Sequence, residues 1–167
     1  MLSECFTSNR QCGKASGNFN TNSTIQPHGT RHSRLWETWE FTCTCRRCSQ
    51  WRSESDHRVA QIIKLRSELD NYTSSSSAIP DVAEEFVKLH EVEGQQMRIH
   101  EAYYRAALEW NGIGNAVEAM RNAKLCLAKG VLLRGGDKPF VESMRALVKD
   151  PERHWSWRFR IGERHQS

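Results

Sequence analysis

Cys43, Cys45 and Cys48 fall in one short window, Phe41-Thr42-Cys43-Thr44-Cys45-Arg46-Arg47-Cys48, and make up half of the six cysteines in the chain. A C-x-C-x-x-C loop can turn three sulfurs toward one point, and thiolate is the soft donor that zinc favours. Tetrahedral zinc takes four ligands, so a fourth must come from elsewhere. Arg46 and Arg47 flank these thiols and are expected to favour the charged thiolate. Two duller readings compete: a disulfide pair with a spare thiol, and chance clustering. Alternate residues of one local segment are badly placed for a disulfide's geometry, which weighs against the first. Upstream, only Cys5 and Cys12 offer another sulfur. Cys12 reads as a surface thiol, which leaves Cys5 as the candidate fourth ligand. The expected ion is Zn2+ on Cys43, Cys45 and Cys48, with Cys5 either its fourth ligand or an unliganded surface thiol.

Composition narrows what such a centre could serve. A chain of 167 residues has room for one ordinary domain, or for a small module beside a helical one. Its mean hydropathy of −0.71 is polar, and no stretch approaches the roughly 18 apolar residues of a membrane span. The start, Met1-Leu2-Ser3-Glu4-Cys5, lacks the basic and then apolar pattern of a secretory signal. The expectation is an intracellular protein of nucleus or cytoplasm, with reduced, metal-binding cysteines and no membrane partner. Charge is uneven. Residues 1–49 carry six basic against three acidic side chains, residues 50–150 fourteen against fifteen, and residues 151–167 four against two. A basic region could meet nucleic acid or an acidic protein surface. The excess is small, however, and no nucleic-acid-binding motif is present, which argues against nucleic acid.

Elements that would position the cysteines follow from turn formers and apolar spacing. Residues 13–24 are rich in turn formers and poor in core residues, so residues 1–35 read as irregular. An aromatic run, Trp36, Trp39 and Phe41, leads into the cysteines. Ser53-Glu54-Ser55-Asp56 can cap a helix carrying Val59, Ile62, Ile63 and Leu69. Residues 74–80 read as a flexible connection. Asp81 and Glu84 have capping-box spacing ahead of Val82, Phe86 and Leu89, and Gly94 marks a break. From Met97 to Trp110 apolar residues occupy two helical faces, as in a helix sandwiched between neighbours. Asn111-Gly112-Ile113-Gly114-Asn115 ends it. The following helix, with Ala116, Ala119, Met120, Ala123 and Leu127, is expected to close at Gly130 and Gly135-Gly136. Asp137 is expected to cap a last helix bearing Phe140, Val141, Met144, Leu147 and Val148. In the tail, Trp155 or Trp157 should pack back on the helices, and His154 reads as a hydrogen-bonded structural side chain.

The fold class predicted is therefore mainly α. The long helix, its Gly-Asn turn and the alanine-rich partner resemble a tetratricopeptide unit, in which helix pairs stack into an array with a concave, peptide-binding face. An ordinary helical bundle is the plain alternative.

A second resemblance is carried by Arg34-Leu35-Trp36-Glu37-Thr38-Trp39-Glu40-Phe41-Thr42-Cys43-Thr44-Cys45-Arg46-Arg47-Cys48. This segment looks like the post-SET region of SMYD-like SET-domain proteins. The downstream helices and the Asp150-Pro151…His154-Trp155-Ser156-Trp157 ending resemble the C-terminal part of fungal members. The match covers about residues 24–160. It implies a division into a SET-core remnant (1–35), a post-SET zinc knuckle (36–52), a C-terminal α-helical domain (53–160) and a tail (161–167). The family activity it implies is S-adenosylmethionine-dependent protein-lysine methyltransfer, with a histone or other lysine-containing peptide as partner. Of the family's Asn-His-Ser-Cys-type motif, Leu2-Ser3-Glu4-Cys5 keeps only the cysteine, which implies Cys5 as the fourth zinc ligand. Thr24 stands about where the channel tyrosine is expected, and the Gly-Glu-Glu stretch and glycine-containing cofactor strand have no counterpart. Methyl transfer needs the lysine amine aligned with the sulfonium methyl in a dry channel. The chain is therefore expected to be a C-terminal fragment of a SET-domain protein, inactive alone, with no catalytic or cofactor-binding residue. The alternative is a helical protein–protein interaction module with a structural zinc clip.

Overall fold

The computed structural model describes residues 25–49, 53–71, 79–134 and 139–162. Among these residues the protein is mainly helical, with no strand. Eight helices follow in order: α1 (His28–Trp39), α2 (Arg46–Ser49), α3 (Ser53–Leu69), α4 (Ile79–Val92), α5 (Ile99–Gly112), α6 (Ala116–Arg134), α7 (Pro139–Lys149) and α8 (Phe159–Gly162). The chain divides into two compact units, Met1–Ile63 and Lys64–Ser167. The division lies inside α3 rather than after residue 52, where the zinc knuckle was expected to end. Residues 28–35, expected to be irregular, are helical. The cap expected at Asp137, Gly135-Gly136 and residues 74–78 of the expected connection lie outside the described residues, whereas Ile79 and Pro80, also expected in that connection, begin α4.

In the second unit each long helix packs on its neighbour in sequence: α4 on α5, α5 on α6 and α6 on α7, with α8 returning to α5. Alanines make the approach possible. Ala102, Ala106 and Ala107 of α5 and Ala119 and Ala123 of α6 are wholly buried, and a methyl group lets helix backbones come close. The α5–α6 turn is written in the sequence. Asn115 N–H reaches the Trp110 carbonyl at 2.9 Å and Gly114 N–H reaches that of Asn111 at 2.9 Å, the double bond of a Schellman ending. Gly114 takes the left-handed conformation this requires, at φ +80°. Asn115 then caps the next helix, its Oδ1 accepting from Glu118 N–H at 3.2 Å.

Some local expectations resolve differently. Helix α4 starts at Ile79, so Asp81 lies in its first turn, and Pro80 sits where a missing N–H costs little. Glu84 instead accepts hydrogen bonds from Trp110 Nε1 (2.8 Å) and Asn122 Nδ2 (3.3 Å), pinning α4 to α5 and α6. Gly130 does not end α6, which runs on to Arg134. A Cβ there would stand 2.8 Å from the Phe140 ring, so the glycine is there to admit α7. Met97 is 50 % exposed and precedes α5 rather than joining its face.

The tail packs back through polar groups and through Trp157, which is half-buried. Trp155 stays 61 % exposed, whereas His154, Ser156 and Arg160 are buried. His154 is indeed structural: Nδ1 lies 2.7 Å from Ser156 Oγ and Nε2 lies 3.0 Å from Ser143 Oγ. Asn111 Nδ2 donates to Ser156 Oγ (2.8 Å) and to the Pro151 carbonyl (3.1 Å). Arg160 forks onto both carboxylate oxygens of Glu109 at 2.9 Å, with each side chain at most 3 % exposed. Removing one partner from a buried pair of this kind typically costs about 3–5 kcal/mol, because the other charge is stranded.

One buried group gives the second unit a pH dependence. His90 packs edge-on against Phe86, with ring centroids 4.6 Å apart, and neither ring nitrogen finds a hydrogen bond. Burial, followed by the charges of Arg98, Arg105 and Arg66, lowers its pKa to about 4. The unfolded chain holds this proton from its ordinary value of 6.5 downward, while the folded chain refuses it until about pH 4. Stability from a neutral His90 is thus fully present above pH 6.5 and is lost as pH falls toward 4, by on the order of 3 kcal/mol. Urea unfolding at several pH values should show this fall. His90→Leu should flatten that part of the profile, and an unchanged slope in the variant would contradict the assignment.

Candidate metal centre

The cysteine loop is aimed by the ends of α1. Its start is held from outside, because the His28 backbone N–H donates to Asp56 Oδ1 of α3 at 2.7 Å. Asp56 belongs to the Ser53–Asp56 stretch expected to cap α3, and its carboxylate serves the first amide of α1. At the other end Glu40 adopts a left-handed conformation, φ 50°, with its N–H directed at the Leu35 and Trp36 carbonyls. That reversal sends the chain back past α1. At the far side of the loop, Cys48 and Ser49 N–H both bond the Cys45 carbonyl, at 2.8 and 2.9 Å, tightening the turn into α2.

The result brings three predicted ligands together. The Sγ atoms of Cys43, Cys45 and Cys48 all lie within 4.8 Å of one another. None of the three is in a disulfide, Cys43 being buried and the other two half-buried, so the disulfide reading is not followed. Thiolates on one zinc at about 2.3 Å stand roughly 3.8 Å apart by tetrahedral geometry. Cysteines placed like this fit a metal ion such as zinc with a small contraction. Cys5 lies outside the described residues.

Any help from Arg46 and Arg47 would come from side chains that lie outside those described. Burial pushes the Cys48 thiol up to about 12, and the neighbouring Cys43 and Cys45 sulfurs add to the rise. Without an ion Cys48 keeps its proton at neutral pH. Metal binding must displace them, so affinity should strengthen with rising pH.

Sequence reasoning missed two residues on α1. Ring nitrogens of His28 and His32 lie within 4.8 Å of each other and of Cys48 Sγ. Helical i, i+4 spacing puts the two on one face, with ring centroids 4.1 Å apart. His28 is held below the usual histidine range by burial first, then by the charges of His32 and Arg31. The signal was available: His28-x-x-x-His32 stands one helix ahead of the cysteines, within reach of a short return loop.

Comparisons with protein-family models, with curated proteins and with solved structures found no match. No helix among the described residues is long and apolar enough to cross a membrane.

Losing one ligand should undo the first unit and spare the second. In Cys45→Ser, zinc affinity should fall by more than the about 10–100-fold that an outer-shell change costs. Amide hydrogen exchange should quicken around Trp39 and Phe41 while staying slow in α5 near Tyr104. Equal acceleration in both places would show that the metal does not act locally.

Proposed function

We propose that the chain is a helical protein-binding module carrying a structural zinc knuckle, built on the post-SET and C-terminal helical regions of a SMYD-like SET-domain protein. The observation that carries this reading is the convergence of Cys43, Cys45 and Cys48 on one point. The cysteines end the Arg34–Cys48 stretch that resembles a post-SET segment. A site filled by four protein ligands has no open position for water or substrate, so the metal's role is to order the loop. Helices that each pack on the next support a tetratricopeptide-like stack, whose concave side would take an extended or helical peptide. A lysine-containing segment such as a histone tail is the partner the resemblance suggests.

S-adenosylmethionine-dependent lysine methyltransfer is the family activity. This sequence offers no residue for the cofactor or for the lysine channel, and the reading assigns the chain no catalysis of its own.

Isothermal calorimetry of the zinc-loaded chain separates binding from catalysis. Titration with histone-tail peptides should give saturable heat in the micromolar range, about −8 kcal/mol of binding free energy, and S-adenosylmethionine should give none. Saturable cofactor binding with methyl transfer to the peptide would make the chain an enzyme. Silence with peptides would remove the binding module.

A further inference from the structure

We infer that His28 supplies the fourth ligand, making the centre a Cys3His site in place of the four-cysteine set expected with Cys5. The inference rests on the structural-zinc reading above and names the residue that completes it.

Cys48 stands at the junction of two groupings. Its Sγ lies within 4.8 Å of the Cys43 and Cys45 sulfurs, and within 4.8 Å of ring nitrogens of His28 and His32. An ion held by the three sulfurs has one tetrahedral corner left. Among the described residues, the other donors grouped with Cys48 are those imidazole nitrogens, and neutral imidazole is a common partner of thiolate on zinc. Binding would draw the two groupings together about Cys48.

The choice between the two histidines follows from how each is held. A ring N–H of His28 donates to the Cys48 main-chain carbonyl. A metal-binding histidine normally uses one ring nitrogen in this way, which fixes the ring and leaves the lone pair on the other nitrogen. The His28 main chain is anchored by its 2.7 Å bond to Asp56. Its side chain is therefore tied to the cysteine loop and its backbone to α3. His32 lies one turn on in α1. It stacks on His28 and supports the ring from behind. A zinc on Cys43, Cys45, Cys48 and His28 would close a loop of chain from the start of α1 to the start of α2, using residues of the first unit alone.

X-ray absorption on the zinc-loaded full chain tests this, with circular dichroism and zinc competition alongside. The wild type should show three sulfurs at about 2.3 Å and one nitrogen at about 2.0–2.1 Å, with the outer-shell scattering of a single imidazole. His28→Ala should lose the imidazole scattering and bind zinc at least about tenfold more weakly. His28→Cys should recover the affinity with a fourth sulfur, which shows that the fold survives substitution there. Cys5→Ser and His32→Ala should keep the wild-type spectrum. Four sulfurs in the wild type, or imidazole scattering that persists in His28→Ala, would overturn the assignment while leaving the zinc reading intact. A wild type that takes up no zinc would bring down both.

Discussion

Three thiols confined within 4.8 Å of one another and partly withdrawn from water can be accommodated in two ways. They can stay as thiols, the state that burial favours at Cys48, or give up protons to a divalent cation. Nothing else about the first unit is as demanding. Helix α1 buries no side chain and leaves Trp36 and Trp39 exposed. Its place depends on the Asp56 bond at one end and on the cysteine loop at the other. Hydrophobic burial in so small a unit is limited, and metal-ligand bonds are the usual substitute for a missing core.

The second unit is built on the opposite principle. Its helices meet through wholly buried alanine, leucine and isoleucine side chains, and polar groups decide how they meet. Glu84 joins α4 to both neighbours. Glu109 and Arg160 fix α8 on α5 from within, and Asn111, His154 and Ser156 weld the tail to the same helix. Each of these contacts has a named partner, although Asn111 Oδ1 is buried without one; paired polarity of this kind favours one arrangement. Exposed Trp155 contributes less than its size suggested.

Where sequence and structure agree, the signal was local. The C-x-C-x-x-C spacing, the Gly114-Asn115 turn and the two-sided apolar pattern of α5 depend on residues a few positions apart. They could be read without knowing the fold. What escaped notice depends on distant partners. Glu109 and Arg160 lie on separate helices, and neither has a neighbour in sequence that announces the pair. Gly130 looked like a helix end because the ring that requires it, Phe140, belongs to the next helix. The bond from the His28 amide to Asp56 could not be read locally, because the two lie 28 residues apart. His28 and His32 were passed over because the search for a fourth ligand followed sulfur. Only the reversal at Glu40 brings the imidazoles to Cys48.

The central claim is that one ion holds the loop at Cys43, Cys45 and Cys48. Native mass spectrometry of the purified chain, run with and without a chelator, measures this directly when paired with timed alkylation. The account predicts one zinc per chain and three cysteines that resist alkylation until the metal is stripped. A metal-free mass with Cys43, Cys45 and Cys48 alkylated as fast as an exposed thiol would contradict it.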